Sequence, residues 1–156
     1  MSDEELMRQA IAVAKEGIEK GQTPFGACIA RDGQVVVAAH NNVWADTDIT
    51  AHAEIVAIRR ACRKLGSVDL SGCVIYSTTE PCPMCFSACH WASLARIVFG
   101  ARIADAREAG FDELTISNEQ MRVSGGSDVE IVPDFMRAEC AALFALWSAR
   151  PDKRTY

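Results

Sequence analysis

The chain has 156 residues, 49% of them hydrophobic and 24% charged, which is typical of a soluble globular domain and unlike a disordered chain or a coiled coil. The net charge of -5 argues against a general nucleic-acid binder, because phosphates attract clustered positive charge. No apolar run approaches the roughly 18 residues of a membrane span, and the acidic start is unlike an export signal. We therefore expect one cytoplasmic domain over residues 1–156 that acts on a small or neutral ligand.

Hydrophobic spacing in the first half of the chain predicts a helix, a hairpin and a second helix. A capping box at Ser2 opens the first helix, which ends at Gly21. Two apolar runs joined by Asp32-Gly33, a dipeptide that tolerates positive φ, predict two antiparallel strands. Gly66 ends the second helix. The predicted strands span residues 25–31 and 34–41, a turn-prone segment spans 42–50 and the second helix spans 52–65.

The second half of the chain alternates strands and helices. The stretch 101–128 lacks a regular period and predicts irregular structure, and Pro151 ends a final helix. Strands that alternate with helices after an initial hairpin indicate an α/β fold, with a mixed sheet covered by helices on both faces. The remaining predicted elements are strands at 73–78, 96–100 and 129–132, a third helix that begins within 81–85 and runs to about 92, and the final helix at 134–149.

Three residues with metal-ligand chemistry stand at the starts of two predicted helices. His52 begins the second helix, while Cys82 and Cys85 share one face of the first turn of the third. A helix N-terminus carries partial positive charge, which favours thiolate and lowers the pKa of both cysteines. Glu54 lies two residues from His52, so both side chains reach one centre only if the second helix points at it end-on. We therefore predict that two helix N-termini converge on one metal ion.

This ligand set is typical of a catalytic zinc site. Two sulfurs and one nitrogen suit Zn²⁺ and leave its fourth tetrahedral position for water. Zinc lowers the pKa of such a water toward about 7, and a carboxylate that is not a ligand can carry the proton to a leaving amine. Glu54 is the candidate for that proton shuttle.

Two other interpretations of the Cys-x-x-Cys pair stay open. The first is a redox-active dithiol, although such a pair does not account for His52 and Glu54 on a separate helix. The second is a structural zinc site, which would require a fourth protein ligand. The candidates for a fourth ligand are Cys89, His90, Cys73 and His40.

Seven cysteines, an odd number in a chain long enough to fold without disulfides, indicate a reducing compartment. Four cysteines in strand or helix patterns are interpreted as small core residues: Cys28, Cys62, Cys73 and Cys140.

The pair of motifs H-A-E at 52–54 and P-C-P-M-C at 81–85 matches the H-x-E and P-C-x-x-C signature of zinc nucleobase deaminases. The sequence here resembles the cytidine deaminase superfamily and, within it, the guanine deaminase branch. The resemblance runs from the first helix to about Glu113. It implies a three-layer α/β/α fold with a five-stranded mixed sheet, one Zn²⁺ per subunit and a homodimer. The segments that carry it are residues 24–27, 41–43, 50–54, 80–85 and 108–113.

The resemblance also implies roles for individual residues. Glu113 would supply a second carboxylate at the active site. Asn41 and the backbone N–H of Ala53 would hydrogen-bond the base, while Phe25 and Trp91 would stack on it.

The C-terminal part of the chain combines two resemblances. Tyr156 matches the C-terminal tyrosine of guanine deaminases, which in that branch reaches a substrate pocket after an exchange of tails between subunits. Residues 128–143 instead resemble the last strand and helix of tRNA adenosine and cytosine deaminases.

The activity that the resemblance implies is hydrolytic deamination of a free purine base, guanine to xanthine and ammonia. The alternatives are a tRNA-specific adenosine deaminase, or a cytosine or guanosine deaminase of the same superfamily. Residues 102–139 carry 4 basic and 9 acidic side chains, and this stretch includes a loop that the family places beside the pocket. Because such a charge repels phosphates, the distribution favours a free base over tRNA. A non-catalytic zinc scaffold, the third alternative, would not require Glu54.

Overall fold

The computed structural model describes residues 1–156 and is organised around one five-stranded sheet. Its strands are β1 (Gly26–Arg31), β2 (Gln34–His40), β3 (Cys73–Thr79), β4 (Arg96–Ala101) and β5 (Glu130–Val132). The strand order is β2-β1-β3-β4-β5. β1 is antiparallel to both β2 and β3, whereas β4 is parallel to β3 and β5, so the predicted mixed sheet is confirmed.

Helices cover both faces of this sheet, which confirms the predicted three-layer α/β/α arrangement. Two helices, α1 and α7, pack against each other and against the sheet, while α3 packs on β1 and β2 and contacts α4. The longest helix has 17 residues, and no helix combines the length and hydropathy that crossing a bilayer requires. The helices are α1 (Asp3–Glu19), α2 (Val43–Asp46), α3 (Ala53–Leu65), α4 (Pro83–Trp91), α5 (Ile103–Glu108), α6 (Asn118–Gly125) and α7 (Arg137–Ser148).

The capping box and the hairpin turn form as predicted. The Ser2 hydroxyl accepts the Glu5 N–H, and the Glu5 carboxylate accepts the Ser2 N–H, so both orphan donors at the start of α1 are satisfied. Asp32 and Gly33 connect β1 to β2 with φ angles of 51° and 69°. Positive φ at both central residues matches the twist of the paired strands.

The prediction of irregular structure over 101–128 is wrong, because α5 and α6 lie within that stretch. Each spans at most eight residues, too few turns to show an apolar period in the sequence. The only buried residue of α6 is Asn118, so this helix lacks an apolar stripe altogether. One further short helix, α2, occupies part of the segment predicted as turns. The last helix begins at Arg137 and not at 134, since Asp134 and Met136 adopt positive φ.

The cysteines outside the predicted metal site pack as small apolar residues. Cys28, Cys73, Cys89 and Cys140 are buried in the core, and Cys62 packs against it. All seven cysteines of the chain are free thiols.

Candidate active site

The N-termini of α3 and α4 meet at one point, as predicted. His52 is the N-cap residue of α3, Cys82 is the N-cap residue of α4, and Cys85 follows within the first turn. The ligand atoms of these three residues all lie within 4.8 Å of one another. β3, the central strand, ends at Thr79, and the segment that carries the two cysteines follows directly at the carboxyl end of this strand.

The distances within this cluster fit a tetrahedral zinc ion. Zinc bonds of about 2.3 Å to sulfur and about 2.05 Å to nitrogen place the two ligand atoms about 3.6 Å apart. His52 Nδ1 lies 3.6 Å from Cys82 Sγ and 3.5 Å from Cys85 Sγ. Cys89 is buried in the core, and His90 hydrogen-bonds Ser127 at 2.9 Å, so neither joins the cluster. The cluster offers three ligands and leaves a fourth position free.

The two thiols of the cluster differ in their affinity for protons. A hydrogen bond with Cys85 lowers the pKa of Cys82 to about 4, and His52 contributes in the same direction. The same hydrogen bond and burial raise the pKa of Cys85 well above its usual value. Without a metal ion, the expectation that the helix N-terminus lowers both pKa values is therefore wrong for Cys85, because two adjacent sulfurs do not both hold charge without a cation. Metal binding would release the Cys85 proton.

Glu54 lies beside the cluster but outside its set of ligands. Its side chain is buried, and Oε1 accepts a 2.8 Å hydrogen bond from the Ser77 hydroxyl. Oε2 faces the cluster and accepts the Cys85 S–H at 3.5 Å. Burial raises the pKa of Glu54, so this carboxyl group can hold and release a proton next to the metal ligands.

A second carboxylate, Glu113, faces the same cluster from the loop between α5 and α6. It lines a pocket of about 320 Å³ together with His52, Cys82 and Tyr156. It also lines a smaller, almost filled space with Glu54. Burial raises the pKa of Glu113 to about 7. The structure thus brings together both carboxylates and the cluster of His52, Cys82 and Cys85.

The residues expected to contact a base lie around this space, with one exception. Asn41 is fully buried and donates through Nδ2 to the Tyr156 hydroxyl at 2.7 Å. Phe25 lines the small space beside Glu54 and packs edge-on against Phe111, with ring centroids 4.9 Å apart. Ala53 is buried between His52 and Glu54 at the start of α3.

The exception is Trp91, which is 84% exposed at the far end of α4. It lies nine positions after the Cys82 cap, a rise of about 13 Å along the helix. Within one chain, the structure does not bring Trp91 to the pocket.

Tyr156 reaches the pocket of its own chain. Its ring centroid lies 5.5 Å from the His52 ring and 5.6 Å from that of Phe111. The preceding residues are held by a cation–π contact, in which the Arg154 guanidinium lies 4.0 Å from the Trp44 ring centroid.

Sequence reasoning missed two residues that organise the site. Ser77 hydrogen-bonds Glu54, and the signal for it is a hydroxyl group near the carboxyl end of a buried strand. Glu80 lies in the segment 80–85 that carries the family resemblance, but no role was predicted for it. Its carboxylate accepts hydrogen bonds from the first N–H groups of α5 and α6, two helices that the sequence did not predict.

Comparison with known proteins identifies the family. The model for the cytidine and deoxycytidylate deaminase zinc-binding region matches residues 1–101. Guanine deaminase of Bacillus subtilis strain 168 is 36% identical over 159 residues, covering 100% of both chains. The tRNA-specific adenosine deaminase of the same strain is 34% identical over 143 residues, covering 92% of this chain and 86% of that protein. Among solved structures, a guanine deaminase from Nitrosomonas europaea is 28% identical, with a TM-score of 0.87 and coverage of 96% of this chain and 86% of that one.

The similarity to guanine deaminase spans the whole chain and so extends beyond Glu113, the limit of the motif resemblance. It includes the C-terminal part, for which the sequence motifs had suggested a different branch. The chain is therefore a guanine deaminase-like member of the cytidine and deoxycytidylate deaminase family, and an aminohydrolase.

Proposed function

We propose that the protein hydrolyses the exocyclic amine of a free purine base, converting guanine to xanthine and ammonia. The observation that carries this proposal is the pairing of two carboxylates, Glu54 and Glu113, around one three-ligand metal cluster. Full-length similarity to a guanine deaminase supports guanine as the base.

The cluster of His52, Cys82 and Cys85 would hold one Zn²⁺ per subunit, as the tetrahedral fit of its distances supports. When bound, zinc supplies an activated water, because it lowers the pKa of water toward about 7.

Glu54 moves protons in this reaction. The Ser77 hydrogen bond fixes Oε1 and leaves Oε2 directed at the cluster, where it takes a proton from the attacking water. Because its pKa is raised, the same group can pass that proton to the ring nitrogen. It then takes the second proton, from the hydroxyl group added to the carbon, and delivers it to the amine, which leaves as ammonia. Glu113 assists from the loop between α5 and α6, where it lines the pocket beside His52 and Cys82.

The base is held by polar groups at its edge and by rings on its faces. Asn41 and the backbone N–H of Ala53 hydrogen-bond it, Phe25 stacks on it and Tyr156 covers the pocket. Phe25 lines the small space beside both carboxylates, and the buried Asn41 hydrogen-bonds Tyr156, which lines the same space. These positions support the roles, because a few buried polar groups orient a ligand in an otherwise apolar pocket.

The protein acts as a homodimer in this proposal. Met84 and Trp91 lie two turns apart on one face of α4 and are both exposed, at 37% and 84%. Large exposed apolar side chains that share a helix face favour burial against a partner. In such a dimer Trp91 of one subunit would stack on the base bound by the other.

We also propose that residues 1–156 function as one deaminase domain in the cytoplasm. A single sheet joins the elements that carry the site, which supports one domain. Seven free thiols support a reducing compartment.

A tRNA-specific adenosine deaminase is the second candidate, because a protein of that name matches most of the chain. Substrate turnover separates the two. Zinc-loaded protein is incubated with guanine, cytosine, guanosine and transcribed tRNA, and ammonia release and inosine formation are measured. We expect ammonia from guanine alone, and none from a Glu54→Gln control. Intact zinc with no ammonia from guanine would refute the proposal, and inosine in tRNA would establish the second candidate.

A further inference from the structure

Glu80, which directly follows β3, joins the two helices that border the loop of Glu113. Its side chain is 5% exposed. Oε2 accepts the N–H of Ile103, the first residue of α5, at 3.1 Å, and Oε1 accepts the N–H of Asn118, the first residue of α6, at 2.9 Å. Because each oxygen accepts a helix N–H, Glu80 is placed to hold the backbone at the starts of both helices.

A second hydrogen bond ties α6 to the same segment. The fully buried Asn118 donates through Nδ2 to the backbone oxygen of Pro81 at 2.6 Å. Pro81 immediately precedes the ligand Cys82. The start of α6 is thus attached twice to the residues that lead into the metal cluster, and hydrogen bonds to a buried carboxylate are among the strong ones.

The loop between these helices, residues 109–117, carries Glu113 and has no regular secondary structure of its own. Backbone hydrogen bonds to α5 hold its first residues, and a side chain of α5 holds the backbone at Glu113 itself. The Arg107 guanidinium donates to the carbonyl oxygen of Glu113 at 2.9 Å. The position of Glu113 relative to the proposed metal ligands therefore depends on Glu80, which holds the first residues of both flanking helices, and on Arg107 of α5, which holds the loop backbone.

We infer that Glu80 and Arg107 are positioning residues that hold the Glu113 carboxylate at the metal cluster. The inference rests on the proposed function, since it assumes that Glu113 takes part in the reaction. Asn118 completes the attachment by fixing α6 to the cysteine segment.

Kinetics of a double-mutant cycle test this inference. Glu80→Gln keeps the shape of the side chain but replaces one acceptor oxygen with an amide that cannot accept, so one helix N–H loses its partner. A displacement of a catalytic group by about 1 Å lowers the rate by up to about a hundredfold. We therefore expect Glu80→Gln, which would displace the Glu113 carboxylate, to lower kcat by about tenfold to a hundredfold. In the Glu113→Gln background the same change should cost less than about twofold, because the positioned group is already gone.

Two measurements separate positioning from damage to the metal site. Zinc content and the absorption spectrum of the cobalt-substituted protein should be unchanged in Glu80→Gln, since the metal ligands are intact. The exposed Glu16→Gln serves as the matched control and should leave kcat unchanged. An altered cobalt spectrum, or losses from Glu80→Gln and Glu113→Gln that simply multiply, would overturn the inference.

Arg107→Met provides an independent variant on an exposed side chain, in case Glu80→Gln does not fold. It should lower kcat severalfold in the wild-type background and leave the activity of Glu113→Gln unchanged; equal losses in both backgrounds would overturn the inference.

Hydrogen exchange measured without substrate distinguishes this inference from the proposed function. Faster exchange of amides in 109–117 supports positioning whatever the substrate, whereas unchanged exchange in both variants overturns it. Absence of guanine turnover by the wild type refutes only the proposed function.

Discussion

The side-chain amide of Asn41 donates a 2.7 Å hydrogen bond to the hydroxyl of Tyr156, 115 residues further along the chain. The other end of the amide is also fixed, since Oδ1 accepts the N–H of Val43 at 3.0 Å. Burial raises the pKa of Tyr156, which keeps its hydroxyl protonated. The tail therefore orients the amide that we propose binds the edge of the base.

Tyr156→Phe removes this acceptor and leaves a buried amide N–H without its partner. Loss of a neutral hydrogen bond costs about 1 kcal/mol, or about fivefold in affinity, so we expect a fivefold rise in KM for guanine with little change in kcat. Steady-state kinetics measure both constants. Tyr76→Phe, whose hydroxyl bonds Asp3 instead, is the control. A lower KM for Tyr156→Phe would show that the tyrosine competes with the base for Asn41.

Glu54→Gln should abolish proton transfer without releasing the metal. General acid–base catalysis contributes about a hundredfold to ten-thousandfold, so we expect kcat to fall by at least a hundredfold while zinc content stays near one per chain. Ammonia release and elemental analysis measure the two quantities. Retention of more than about a tenth of the activity would contradict the role of Glu54, since that loss lies below the range for general acid–base catalysis.

Ser77→Ala should produce a smaller loss, because it frees Glu54 Oε1 without removing the carboxylate. A hydrogen bond to a charged group is worth about 1.5–3 kcal/mol, which bounds the expected fall in kcat at about a hundredfold. The exposed Ser67→Ala is the matched control, measured in the same kinetic assay. Equal activity of the two variants would show that Ser77 does not orient Glu54.

Removal of the metal should abolish activity reversibly. A chelator is expected to stop ammonia release, and added zinc to restore it. Cys85→Ala should lose zinc, whereas Cys89→Ala, one turn further along α4 and equally buried, should keep it despite a lower Tm from the small cavity. Loss of zinc from Cys89→Ala would show that Cys89 is a fourth ligand and that the zinc site is structural.

The Glu113 carboxyl group should make the zinc-free wild type progressively less stable, relative to Glu113→Gln, as the pH rises toward neutrality. Burial raises the pKa of Glu113 to about 7 from the ordinary value of 4.5, so the folded chain binds more protons than the unfolded chain between those values. Stability falls with rising pH wherever the folded state holds the extra proton. Glu113→Gln removes the loss of stability that comes from ionising this carboxyl group in the folded chain. The Tm of the variant minus that of the wild type should therefore rise from pH 4.5 to 7 and then level off.

Thermal unfolding of the zinc-free proteins at several pH values measures this difference. The exposed Glu108→Gln is the control and should follow the wild type. A Tm difference for Glu113→Gln that is constant across the range would show that the Glu113 carboxylate is fully solvated.

Local chemistry made the metal site and the main elements predictable from the sequence. Helix-cap positions and the three-residue spacing of Cys82 and Cys85 depend only on a few neighbouring residues, so they predicted that these side chains and His52 meet at two converging helix ends. The same holds for the hairpin at Gly33, where two residues determine the turn.

The rest of the site was decided by the tertiary structure. Helices α5 and α6 are held by Glu80 and carry too few buried residues to show a period, so the irregular prediction for that stretch was wrong. The separation of the two thiol pKa values, the exposure of Trp91 and the pairing of Asn41 with Tyr156 likewise have no local signature. Residue spacing determines which groups share a turn or a cap, because those distances are set by backbone geometry. Which distant groups meet depends on how the helices pack on the sheet, and only the folded chain settles that.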